Sequence, residues 1–341
     1  MKAMDLLKSL GNVKDSYVIS AEEFRQGKQH TQVKHISTKR IWLIAAAIVL
    51  SLLLVGCAIV YILSLQDMVF GTRTQEYYDG SSQEVTLLSI QGIKGSPGYR
   101  ATAEWYEWLQ TYDTDMSVYH SEKAFSEDFG DDYYAYNLYS REMKDKLDEI
   151  CEKYGLELLG KIYVDPDIEA GCKALQIPGI FRPGVNVEAD FRQICYYANG
   201  SFDLEGYMSL DGENQHIVSY RCHRKNAFSD LYSSVGPEGT YDEWTYTTSY
   251  GVDVLMVLDY GGVRGNASMY VEQGEYVFLF GISEFEDMPL PDKEMMEAYA
   301  EAFDFTVQPQ RVSQQEIQKT EERREEADAA FAAEFDKKAH S

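Results

Sequence analysis

Twenty-five consecutive residues, Ile41 to Leu65, carry no charge. As a helix rising ~1.5 Å per residue, the run IWLIAAAIVLSLLLVGCAIVYILSL reaches roughly 37 Å, enough for a tilted crossing of a ~30 Å hydrocarbon core. In lipid only a helix satisfies its own backbone donors and acceptors, and Trp42 and Tyr61 near the two ends suit the interfacial aromatic belt. A cleaved signal peptide has a shorter apolar region, ~7–15 residues behind a brief basic start. Here 40 residues come first. Leu54, Val55, Gly56 and Cys57 resemble a bacterial lipobox, yet the run stays apolar through Tyr61, so Cys57 reads as a small membrane residue. The sequence predicts a single transmembrane helix over 41–65, with the lipid bilayer as its partner.

Charge is divided unequally around that run. Residues 1–40 hold eight basic and four acidic side chains, a net of +4, whereas 66–341 hold 23 basic and 52 acidic, a net of -29. Lys34, Lys39 and Arg40 flank the near side; on the far side Arg73 stands alone among Asp67, Glu76, Asp79 and Glu84. The positive-inside rule then places the N-terminus in the cytoplasm and residues 66–341 outside it. The chain's total of -25 would repel a phosphate backbone, which argues against a nucleic-acid partner.

In the leader, 1–40, Ala3 to Leu10 has helical spacing stopped by Gly11, and Asp15 can cap a second short helix, Ser16 to Phe24. The segment DLLKSLGNVKDSYVISAEEF resembles the cytoplasmic leader of single-pass Firmicutes membrane proteins, some of them anti-sigma-factor-like. That resemblance implies a cytoplasmic regulatory partner. The His and Cys pair of zinc-binding anti-sigma domains is missing from it, and the plainer reading is a positively charged topology anchor.

Beyond the membrane, 66–95 reads as a juxtamembrane stalk with one apolar stretch, Val85 to Ile90. The folded domain is expected over 96–309. Trp105, Trp108, Leu109 and Tyr112 share one face of a helix running from Pro97 to Tyr112. Those rings read as core, with a sugar-stacking platform as the sharper alternative. Arg141 to Tyr154 is a second helix with Ser140 as cap and Gly155 as stop; Glu142 with Lys146 and Glu149 with Lys153 are i, i+4 pairs on its wet face. A third, shorter helix follows Asp165, with Pro166 in its first turn.

The period then changes from helix to strand. Ile194 to Tyr197 and Phe202 to Leu210 flank Asn199 and Gly200, and Asp211 and Gly212 turn into His216 to Arg224, an antiparallel meander. Val252 to Tyr260, Met269 to Val271 and Tyr276 to Ile282 are further strands, apolar enough to be covered on both faces. Pro291 and Asp292 open a helix striped by Met295, Met296, Tyr299, Ala302 and Phe303. The fold class is α+β: an antiparallel β-sheet meander packed with amphipathic helices. Residues 310–341 form a charged C-terminal tail, read as a solvated helix with a weak stripe of Ile317, Phe331 and Phe335.

SPGYRATAEWYEWL, EMKDKLDEICEKYGLELLG, the ANGSFDLEG hairpin and EAYAEAFDFTVQP together resemble an uncharacterised family of gut Firmicutes single-pass membrane proteins. The resemblance spans most of 95–309. It implies the same topology and outer-domain boundary, and no activity.

Chemistry is sparse in this sequence. HExxH, CxxC, GxSxG and Walker patterns are all missing, and the folded region, 96–309, holds only His120, His216 and His223. Asp128, Asp131 and Asp132 lack the spacing of a calcium loop and read as solubilising charge. We therefore assign no catalytic residue, no metal site and no cofactor. Four cysteines, Cys151, Cys172, Cys195 and Cys222, lie beyond the membrane, where disulfides persist. With Asn199-Gly200 setting the register, Cys195 falls opposite Leu204, and Cys222 is two strand spacings away, too far to bond. Cys151 with Cys172 is the better pair, set against the reading that all four are small buried hydrophobes.

The expected function is that of a non-enzymatic membrane protein whose outer domain senses or binds an envelope component, with signalling through the leader. A structural or adhesive surface module is the alternative. A hydrolase would require a cleft that gathers the scattered carboxylates and histidines.

Overall fold

Leu65 and Met68 are 1% and 3% exposed, packed with Leu88, Ile90, Val235 and Leu255, so the chain is already core where its apolar run ends. These coordinates are a computed structural model describing residues 64–339 apart from 77–81, 113–132, 134, 137, 139, 211, 213–214, 262–264 and 284–288. All described residues belong to one unit, Ile62–Ser341. The leader and the apolar run through Leu63 lie outside them; among the described residues no helix is long and apolar enough to cross a membrane.

From a single 3-10 turn, Leu65–Asp67, the chain passes into β1 (Val69–Glu76) and β2 (Ser82–Ser89), which pair antiparallel. Residues 66–95, expected as a stalk, are therefore part of the body. Polar alternation in VFGTRTQE disguised a strand with one wet face. The helix α1 (Pro97–Thr111) starts at Ser96, whose hydroxyl accepts the Tyr99 N–H, and α2 (Arg141–Tyr154) starts at Ser140, which accepts the Met143 N–H. Both boundaries follow the sequence because a cap side chain replaces a missing backbone partner. The pairs expected along α2 give way to a tie between helices: Lys146 and Lys153 both reach Glu104 of α1, at 3.1 and 2.6 Å. Burial would raise the Glu104 carboxyl, but hydrogen bonds from Lys153, Tyr154 and Lys146 hold it down at about 2.

Next come β3 (Glu157–Leu158), β4 (Ile162–Asp165) and α3 (Ile168–Ala174), capped by Asp167, so that Pro166 precedes the helix instead of lying in its first turn. The meander is β5 (Glu188–Tyr197), β6 (Phe202–Ser209) and β7 (His216–Arg224). After β8 (Ala227–Phe228), which pairs with β3, and β9 (Tyr232–Val235), which joins β2, the second half of the sheet follows. It comprises β10 (Tyr241–Thr247), β11 (Asp253–Asp259), β12 (Asn266–Gln273) and β13 (Tyr276–Ser283). The eight-stranded antiparallel sheet has the order β10-β11-β12-β13-β7-β6-β5-β4. Two helices close the chain, α4 (Lys293–Ala302) and α5 (Gln314–Ala339). The body is thus α+β with one large antiparallel sheet.

Both faces of the sheet are covered, as the apolar runs of β11 and β13 require. One face carries Tyr196, Leu204, Tyr220, Phe278 and Phe280 against α3, α4 and the segment with Phe303 and Phe305. On the other face, Leu255, Val257 and Tyr270 pack under the β1-β2-β9 sheet, and Tyr197 packs beside Ile150 of α2 and Phe228.

Register at the Asn199 hairpin differs from expectation by one residue: Cys195 opposes Asp203, and Leu204 opposes Ile194. The loop has three residues, Ala198 to Gly200, with the Tyr197 N–H bonded to the Ser201 carbonyl at 2.9 Å and Gly200 at φ 94°. A bulge between Phe191 and Ile194 interrupts this pairing, which resumes from Phe191 opposite Gly206 to Glu188 opposite Ser209.

Candidate functional site

β4 pairs only with Ile194–Tyr197, the second half of β5. Glu188 to Phe191 bond to β6 on one side, and among the described residues no strand pairs with their other side. An open strand edge offers a row of backbone donors and acceptors to any extended chain. Glu188, Ala189, Asp190, Arg192 and Gln193 are exposed there and Phe191 is half-buried.

Beside this edge lies a groove of about 620 Å³, walled by Ile168 and Cys172 of α3, by Ile180 and Phe181, and by Phe191. Phe181 and Phe191 stack at 6.1 Å with an interplanar angle of 22°. Gly206 of β6 makes this stacking possible. A Cβ there would stand 2.4 Å from the Asp190 carbonyl oxygen and 2.9 Å from the Phe191 ring. Local chemistry shapes the rest: Asp167 caps α3, and Gly171 lets that helix lie directly on Ile194. The groove joins an apolar floor to free peptide groups, with Glu169 and Lys173 at its rim, an arrangement suited to an extended segment with one bulky apolar side chain.

The cysteines offer no reactive thiol beside it. Burial pushes Cys172 up to about 11 and Cys151 up to about 12, so both stay protonated near neutrality. The expected Cys151–Cys172 pair is not made. Cys172 packs on Ile194 and Tyr196, while Cys151 belongs to the cluster of Tyr197, whose side chain points the other way from the same strand. The sheet itself stands between them, and alternate residues of one strand face opposite layers. Cys195 and Cys222 are likewise free and on opposite faces.

Of the histidines, His216 is buried against the Tyr299 hydroxyl at 2.6 Å. His223 is buried and meets Asp203 at 2.7 Å, and Asp203 also accepts from Tyr197 at 3.2 Å. Cys195 sits across from Asp203, with the carboxylate between thiol and imidazole, so no nucleophile–base contact forms. His120, Asp128, Asp131 and Asp132 lie outside the described residues. Trp105 is core, as expected, and Trp108 stacks between it and Tyr112 at 5.4 and 4.6 Å.

Asp230 is a carboxyl of weakened acidity. Burial raises Asp230 to about 6, with its own backbone N–H opposing the rise. Its folded pKa exceeds the ordinary value of 3.8, so the protonated form is favoured by folding. The stability it contributes is complete below about pH 4 and is lost as pH rises through 6. Urea titrations from pH 4 to 7 should show this fall, and Asp230→Asn should flatten it; an unchanged slope in the variant would assign the fall elsewhere.

The sequence could not have revealed the groove, because its walls come from residues 168–181 and from Phe191, joined only by the sheet edge. Compared with known families, curated proteins and solved structures, the chain matches none of them.

Proposed function

We propose that this chain is a single-pass membrane protein whose α+β body, held outside the cytoplasm, binds an extended segment of an envelope component at the open half of β5. The observation that carries the reading is the coincidence of a free strand edge with an apolar groove of about 620 Å³. Strand addition supplies affinity through the backbone, and the pocket beside Phe181 and Phe191 supplies selectivity. Residues 1–40 are the part available to a cytoplasmic regulatory partner.

A photo-crosslinking side chain at exposed Gln193 tests the binding. In cells it should capture an envelope component, and Gly206→Ala, which forces Phe191 out of its stack, should abolish capture while the body stays folded. Equal capture from Phe331, on α5, would refute selective binding at the groove. For the leader, co-purification should retain a cytoplasmic protein; retention of none would leave 1–40 as a topology anchor.

A further inference from the structure

The open half of β5 has two faces of different chemistry. In the pairing with β6, Ala189 lies opposite Met208 and Phe191 opposite Gly206, whereas Glu188 lies opposite Ser209 and Asp190 opposite Tyr207. Met208 belongs to the same core cluster as Leu204 and Phe280, so Ala189 and Phe191 are on the groove side of the sheet. Glu188 and Asp190 are on the other side. Both are exposed, and among the described residues neither carboxylate has a hydrogen bond or an ion pair. Glu205 of β6 shares their face; its side chain is 74% exposed, and Arg221 Nη2 approaches it only to 3.9 Å. Tyr207, 37% exposed, stands beside Asp190. The cations of this end are placed elsewhere: Arg192 is in the bulge, and Lys173 is at the groove rim with Glu169.

An added strand obeys the same alternation. Its residues opposite 189 and 191 lie on the groove side, and those opposite 188 and 190 stand over the carboxylates. In an antiparallel ladder, directly opposed Cβ atoms are ~4.5–5.5 Å apart, within reach of a Lys or Arg head group. The exposed Tyr207 ring adds a surface for the same cation. An Asp or Glu in those places would meet like charge. The wider field acts in the same sense, since the net charge of -29 on 66–341 draws in cationic chains and repels anionic ones.

We propose that the segment bound at β5 is cationic and alternating, with apolar side chains toward Phe181 and Phe191 and Lys or Arg over Glu188 and Asp190. This rests on the strand-binding reading above and names the chemistry of its partner. The open ladder, 188–191, gives roughly 13 Å of strand, so recognition is confined to a core of about four residues.

The test titrates the full chain, in a nonionic detergent, into a short labelled peptide that alternates leucine with lysine and into its leucine–glutamate counterpart, with fluorescence anisotropy as the readout. The lysine peptide should bind about fivefold to tenfold more tightly. Glu188→Gln with Asp190→Asn should erase that preference. Glu325→Gln with Glu326→Gln, which removes the same charge from exposed positions of α5, should keep it. A preference that survives in the β5 variant, or that is lost equally in the α5 variant, overturns the inference, because overall charge would then account for it. If both peptides bind alike and Gly206→Ala weakens both, the groove reading stands and this inference falls. If neither peptide binds the wild-type chain, the strand-binding reading falls and takes this one with it.

Discussion

Arg323→Ala should destabilise the folded body by about 3–5 kcal/mol, the cost of leaving a buried charge without its partner. Asp165, at the end of β4, is fully buried and accepts hydrogen bonds from Arg323 Nε at 3.1 Å, from Thr320 Oγ1 at 2.9 Å and from the Asp167 N–H at 3.1 Å. A second guanidinium nitrogen of Arg323 completes a bidentate contact, and Tyr196 donates to Thr320 at 2.7 Å. Removing the guanidinium leaves the carboxylate inside with too little compensation. For a body of this size the melting temperature should fall on the order of 10 °C. Asp165→Asn in the Arg323→Ala background should recover part of the loss, since the amide carries no charge. A double-mutant cycle by urea unfolding measures the coupling, and strictly additive losses would show that the pair is not the anchor of α5.

Phe303→Ala should cost a further 3–5 kcal/mol or so, the range for emptying an aromatic site in a core that cannot collapse. Phe303 and Tyr220 are both fully buried and stack at 4.6 Å and 6°. Phe280 and Phe305 close around the same ring at 5.0 and 6.1 Å. Tyr220→Phe is the contrasting case. Among the described residues the Tyr220 hydroxyl is buried without a hydrogen-bond partner, so deleting it should leave stability unchanged or raise it by about 1 kcal/mol. Thermal unfolding of the two variants separates ring packing from hydroxyl burial. A loss from Tyr220→Phe as large as that from Phe303→Ala would mean that the hydroxyl has a partner.

What could be read without coordinates was local. Ser140 and Gly155 mark α2 to the residue because capping is decided by neighbours in sequence. The apolar runs of β11 and β13 announced strands covered on both faces for a similar reason: burial on both sides removes polar alternation. β1, β9 and β10 escaped notice. Their mixed sequences, VFGTRTQE, YSSV and YDEWTYT, bury one side or lie at an edge, and their partners are supplied from elsewhere in the chain. The hairpin was foreseen and its register was not, since two- and three-residue loops share the Asn-Gly signal and differ only in whether Gly200 alone takes the left-handed conformation.

The sequence by itself determined the uncharged run at 41–65, the charge asymmetry around it, the capped helices and the antiparallel meander. Each of these is encoded by residues a few positions apart. Tertiary structure decided that 66–95 is body, that Cys151 and Cys172 lie on opposite sides of one sheet, and that β4 stops short and leaves half of β5 open. It also decided that Arg323 closes on Asp165 from 158 residues away. Such outcomes depend on which segments meet across the sheet, and no local periodicity records a meeting between residues so distant in the chain.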